Sequence, residues 1–203
     1  MLMSHIKTTQ TLFLAIIMFA ISACGKTPAA RFYTLSPMAS QSAAEHTSTV
    51  NEQIVGIGPV RVAAYLDRSE IVTRSSPTKI ELASFDRWAE PFEDMIASSV
   101  AENISTMLPS VQVIVDPWPE AKIEYQLVLK IMKFETDQGG KAQLNSSWGI
   151  LQRSTGEMNT VYESKITVPG SPGDFDAITK NMSRALVTLS EEIAAELKKL
   201  EKH

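Results

Sequence analysis

Between Ile123 and Val168 the apolar residues fall on alternate positions in three successive runs, a period that strands satisfy and helices do not. Ile123, Tyr125, Leu127, Leu129 and Ile131 alternate with Glu124, Gln126 and Lys130, and Asp137-Gln-Gly-Gly140 then turns the chain. Ala142, Leu144, Trp148 and Ile150 share one side of the next run. After Ser154-Thr-Gly-Glu157, Tyr162, Ile166 and Val168 do the same. The pattern predicts an antiparallel meander with one covered face and one wetter face.

Such a face needs a cover, and two segments have the period to supply it. Phe92, Met95, Ile96, Val100, Ile104, Met107 and Leu108 recur at spacings of three and four between Pro91 and Pro109. Pro91 suits the first helical position, and Glu93 and Asp94 suit the positive N-terminal end. A second stripe, Phe175, Ile178, Met182, Ala185, Leu186, Leu189, Ile193, Leu197 and Leu200, is nearly heptad, with Asp174 placed as its cap. A coiled coil would use the same stripe, but the meander requires a covering layer, so packing on the sheet is expected. Shorter strand signals run over Arg31–Leu35, Ile54–Val62 (broken by Gly56, Gly58 and Pro59), Val111–Val115, and a hairpin of 71–73 with 79–83. The expected fold is α+β: a mainly antiparallel sheet with two helices packed on one face, an α/β sandwich.

The N-terminus fixes the compartment. Lys7 precedes an unbroken apolar run from Leu12 to Ile21, too short to span a bilayer and laid out as a signal peptide. Ile21-Ser22-Ala23-Cys24 is similar to a bacterial lipobox, so cleavage would make Cys24 the first mature residue and the site of lipidation. Its thiolate is the side chain suited to thioether formation, and several acyl chains at about 0.8 kcal/mol per CH₂ make the attachment lasting. Gly25, rather than an aspartate, points to the outer membrane, with the domain facing the periplasm. The expected organisation is a signal peptide over 1–23, a lipidated tether over 24–30, and a single domain over 31–203 with a polar loop at 37–52.

Cys24 is the only cysteine, so no disulfide can hold the domain and packing must suffice. Without Lys7 the mature chain has 18 basic and 23 acidic residues, a net charge of −5, which disfavours nucleic acid as a partner. His5, His46 and His203 all fall outside the expected core elements. With no second cysteine, metal sites of the His/Cys kind and histidine-dependent triads are excluded. Gly56-Ile-Gly58 lacks the third glycine of a dinucleotide fingerprint. Glu90, Glu93 and Asp94, and Asp67 with Glu70, are better explained as helix-entry and loop charges than as acid/base pairs. No enzyme activity and no cofactor or metal is expected.

Two stretches combine aromatic residues with arginine, the composition of a protein interface: "AYLDRSEIVTRS" at 64–75 and "SFDRWAEPFED" at 84–94. Tyr65, Leu66, Asp67, Arg68, Arg74, Phe85, Arg87 and Trp88 are the candidate contact residues, read as exposed. The competing reading is that Phe85 and Trp88 staple the first helix to the sheet while Asp86 and Arg87 pair in water. Packing is favoured for Trp88, and contact for Tyr65 to Arg68.

"RFYTL" at 31–35, "VGIGPVRVAAYLDRSEIVTR" at 55–74 and "FDRWAEPFEDMIASSVAENI" at 85–104 resemble the PqiC family, the ABC-type transport auxiliary lipoproteins. The resemblance covers most of the mature chain from Arg31. It implies a non-enzymatic outer-membrane subunit of an MCE-type system that moves lipid between membranes and supports envelope integrity. It also implies a PqiB-like, MCE-domain partner anchored in the inner membrane, whose periplasmic tube would meet this domain, and a ring of several copies about that tube. The alternative is a pilotin-like assembly factor for another outer-membrane complex.

Overall fold

The computed structural model describes residues 28–38, 53–118 and 123–200. The expected signal peptide, Cys24, most of the expected tether and most of the expected polar loop lie outside the described residues. The elements in chain order are β1 (Arg31–Tyr33), β2 (Gln53–Val62), β3 (Glu70–Ser76), β4 (Lys79–Trp88), α1 (Phe92–Met107), β5 (Val111–Val115), β6 (Tyr125–Asp137), β7 (Ala142–Gln152), β8 (Glu157–Val168) and α2 (Phe175–Leu200).

The alternating runs form the meander β6–β7–β8, antiparallel throughout, with Leu127 opposite Ile150, Leu129 opposite Trp148, and Leu144 opposite Ile166. Its inward row is buried, while Gln126, Val128 and Lys130 face the wetter side. The β3–β4 hairpin also forms, but β4 continues through Ser84-Phe-Asp-Arg-Trp88, a stretch whose charges read as a loop.

The sheet as a whole is mixed, not mainly antiparallel. Among the described residues four of its seven strand pairings are parallel: β1 with β4, β2 with β5, β2 with β6, and β3 with β6. The cause is α1, which carries the chain back so that β5 lies parallel to β2. Strand β6 then takes the other edge of β2, and beyond β2's end the same edge of β6 reaches β3 at Thr136 and Asp137. Antiparallel neighbours leave a turn in the local sequence, whereas parallel neighbours are joined by long crossovers that leave none.

Both helices pack on the buried face, α1 over β2 and β5, α2 over β7 and β8, and they also touch each other. The stripe of α2 is spent on the sheet and on α1: Met182, Ala185, Leu186, Leu189, Ile193 and Leu197 are buried. Asp174 caps α2 through its Oδ1, which accepts from the Ala177 amide at 3.1 Å. Pro91 is the N-cap of α1 rather than its first helical residue. The Glu93 carboxylate instead ties α1 to β2, accepting from the Val62 amide at 2.9 Å and lying 3.5 Å from Arg61.

The glycines of β2 serve close approach, not phosphate binding. A Cβ on Gly56 would meet the Ile123 side chain at 2.8 Å. Gly58 has φ +140 beside Asp116, and Pro59 follows it into a bulge between Ile57 and Val60.

Candidate docking surface

The two stretches rich in arginine and aromatics come together, because β3 pairs with β4 and sets Glu70 opposite Arg87. Before β3 the chain makes a tight turn, with the Leu66 amide donating to the Ala63 carbonyl at 2.8 Å. Residues 67–69 are then clamped to the end of β4 by the Trp88 amide, which donates to the Ser69 carbonyl at 2.7 Å. Arg87 completes the clamp, with Nη1 2.9 Å from Ser69 Oγ and 3.3 Å from Glu70 Oε1.

The eight candidates divide into packing and surface. Leu66 is 2% exposed and Trp88 4% exposed, so the reading of both as exposed is corrected. The turn drives Leu66 into the core, and on β4 Trp88 shares the buried side with Asp86. Trp88 stacks on Phe92 at 4.8 Å and Phe92 on Phe134 at 5.6 Å, so an aromatic column staples the start of α1 to the sheet, as the packing reading expected for Trp88. Phe85 is half-buried.

Arg74 and Tyr65 are also held inside the fold. Glu135 on β6 is 1% exposed and is gripped by Arg74 through Nε and, at 3.3 Å, through Nη2; Lys133 Nζ lies 3.5 Å from it. A buried carboxylate needs such partners. Burial, then this carboxylate, pushes the Tyr65 phenol up to about 12, and the bond to Glu135 raises the Arg74 guanidinium. Asp86 does not pair with Arg87 in water. It is buried beside Arg31 and Tyr33, and the Arg31 guanidinium holds its carboxyl below the usual range.

What remains outward is a small charged patch of Asp67, Arg68 and Arg87. Asp67 is exposed, Arg68 is half-buried, and the Arg68 Nε is buried without a hydrogen-bond partner among the described residues. A buried donor in that state costs about 1–3 kcal/mol, so the Arg68 side chain carries a local strain of its own beside the exposed Asp67.

A second concavity lies beside β1, and no sequence motif announces it. It is an open groove of about 1090 Å³ between residues 32–38, the end of β8 at 167–169, and α2 from Asp176 to Thr188. Its outer wall is fixed: the Ser36 amide donates to Ser183 Oγ at 3.0 Å, and the Met38 amide donates to Asn103 Oδ1 at 2.7 Å. Phe32 stands in the wall 65% exposed. Three separate segments make the groove, so no periodicity could have announced it.

Among the described residues no three His, Cys, Asp or Glu side chains gather as metal ligands, and no helix is long and apolar enough to cross a membrane. Residues 33–194 match the profile of the ABC-type transport auxiliary lipoprotein component. The chain belongs to this family. As an ABC-type transport auxiliary lipoprotein it is similar to the intermembrane transport lipoprotein PqiC of Escherichia coli (strain K12) and that of Shigella flexneri, each 25% identical over 108 residues. The alignment takes in 53% of this chain and 57% of each relative, so the chain spans little more than half the length of the curated relatives it matches.

Solved structures share the fold of this auxiliary lipoprotein. An uncharacterized protein superposes with a TM-score of 0.70 at 18% identity, covering 84% of this chain and 99% of its own. Protein XCC0632 from Xanthomonas campestris superposes with a TM-score of 0.65 at 20% identity, covering 81% and 93%.

Proposed function

We propose that this auxiliary lipoprotein is an outer-membrane subunit of an MCE-type intermembrane lipid transport system, anchored through Cys24 and docking the periplasmic tube of a PqiB-like partner. The family match over residues 33–194 carries the reading, and the relatives named as intermembrane transport lipoproteins support it. The anchor and a short tether hold the domain at the leaflet and raise its effective concentration for an arriving tube. Asp67, Arg68 and Arg87 form the contact with the partner or between copies in a ring, and their gathering at the paired ends of β3 and β4 supports that placement. Envelope integrity depends on the complex, and the subunit itself catalyses no reaction.

The test is purification of the tagged full-length chain from membranes, with identification of co-purifying proteins and mass measurement of the N-terminal peptide. A thioether-linked, acylated Cys24 and an MCE-domain partner are the expected result. The docking assignment predicts that Arg68→Glu with Arg87→Glu lowers partner recovery while the circular dichroism spectrum is retained. An unacylated mature chain, or recovery of a secretin or barrel protein instead, overturns the reading.

A further inference from the structure

We infer that the groove between β1 and α2 binds one anionic phospholipid drawn from the leaflet to which the chain is attached. The inference rests on the proposed anchoring at Cys24 and goes beyond the docking role.

Position is the first argument. Only six residues lie between Cys24 and Arg31, which starts β1, so over seven extended steps the reach from the anchor to the groove wall is at most about 25 Å. Phe32 in the groove wall follows Arg31 directly, so the groove's distance from the leaflet is limited by a short piece of chain.

Its chemistry is the second. Val168, Pro169 and Val187 give the groove an apolar lining, and Phe32 adds a large apolar side chain that the domain leaves in solvent. Lys180 and Arg184 stand one turn apart on α2, exposed, and neither enters an ion pair among the described residues. Asp176 lies one turn before Lys180 and also lines the groove, so the local balance is two cations against one carboxylate. An acyl chain along the apolar lining with a phosphate between Lys180 and Arg184 satisfies both halves, and about 1090 Å³ is roomy for such a ligand. The acyl groups on Cys24 carry no anionic group, so they would leave the two cations unmatched. That contrast favours a free phospholipid over the chain's own anchor.

The experiment uses the full-length acylated chain in vesicles of phosphatidylglycerol and phosphatidylcholine in equal parts. Phe32 is replaced by the photo-crosslinker p-benzoylphenylalanine and, in a control, Val161 is replaced instead. Val161 is 61% exposed on β8 and is not part of the groove. Irradiation is expected to give a phosphatidylglycerol adduct at position 32 and little at 161. Lys180→Glu with Arg184→Glu is expected to cut the adduct about tenfold. Both positions are exposed, and an unchanged melting temperature verifies folding. If the double reversal melts early, Lys180→Gln with Arg184→Gln gives the same comparison with a smaller expected drop.

Equal yields at 32 and 161, no lipid adduct, no preference for phosphatidylglycerol, insensitivity to the charge changes, or an adduct to the chain's own acyl groups each overturns the inference. Partner recovery measured on the same variants separates the two readings. Loss of adduct with recovery intact supports a lipid site distinct from docking, whereas a missing partner or unacylated Cys24 counts against the proposed function.

Discussion

Arg31 grips Asp86 with two parallel bonds, Nε to Oδ1 at 2.7 Å and Nη2 to Oδ2 at 2.9 Å, and Tyr33 donates its hydroxyl to the same Oδ1 at 2.9 Å. The carboxylate is buried, while the guanidinium is largely in solvent. Three residues of parallel pairing hold β1 to β4, so this pair does much of the fastening.

Asp86→Asn is therefore expected to cost about 1–3 kcal/mol near neutral pH. The folded carboxyl lies below its ordinary value, chiefly through the bond from Arg31, so its contribution is full above the unfolded pKa of about 3.9 and fades as pH falls through the lower folded pKa. Urea unfolding of both proteins at neutral pH and at about pH 3 should show the gap narrowing in acid. A gap that widens in acid would rule this account out.

Asn103 is fully buried. It accepts from the Met38 amide at 2.7 Å and donates to Ser190 Oγ at 3.2 Å, joining the segment after β1 to both helices. Asn103→Leu strands that amide, with an expected loss of about 1–3 kcal/mol. A double-mutant cycle with Ser190→Ala should return a non-zero coupling energy between the two side chains.

Trp88→Ala removes the first ring of the column to Phe92 and Phe134 and is expected to cost about 3–5 kcal/mol. Chemical unfolding measures it. Lost partner recovery in this variant would report unfolding rather than a broken contact, whereas Arg68→Glu should lower recovery at nearly unchanged stability.

Tyr65 titrates near 12, above its ordinary value through burial and then Glu135. A raised phenol pKa favours the native state below about pH 10, and that contribution is lost as pH climbs through 12. Tyr65→Phe should remove a late component from the phenolate absorbance titration and leave an earlier one unaltered.

Gly140 sits at φ +77, and a Cβ there would collide with the Ser171 carbonyl oxygen. Gly140→Ala is expected to destabilise by about 2 kcal/mol or more, read as a lower urea midpoint with an unaltered slope.

The elements with a strong local period were legible in the sequence. β6, β7, β8, α1 and α2 follow from spacing, and Asp174 from its place before an apolar stripe. Strand order was not, because β2 finds β5 and β6 only after α1 has returned the chain. The end of β4 was hidden too, since Asp86 and Arg87 look like solvent charges until Arg31 and Glu70 arrive from distant sequence. The interface composition gathered residues that do share a place, β3 against β4, and packing was the favoured reading for Trp88, but nothing told Leu66, which fills the interior, from Arg68 and Arg87, which reach the surface. Among the missed residues, Lys180 and Arg184 had one weak signal, two cations a turn apart on the polar side of α2.

Strand β1 is the first element of the sheet, so any pull on the chain from its N-terminal side enters the fold at Arg31. Tension directed along the strand loads its few bonds to β4 together rather than one after another, and the Arg31–Asp86 clamp shares the strain from the first residue. The domain thus meets such traction at a three-residue edge closed by one buried carboxylate, and its helices are spared until that rivet gives.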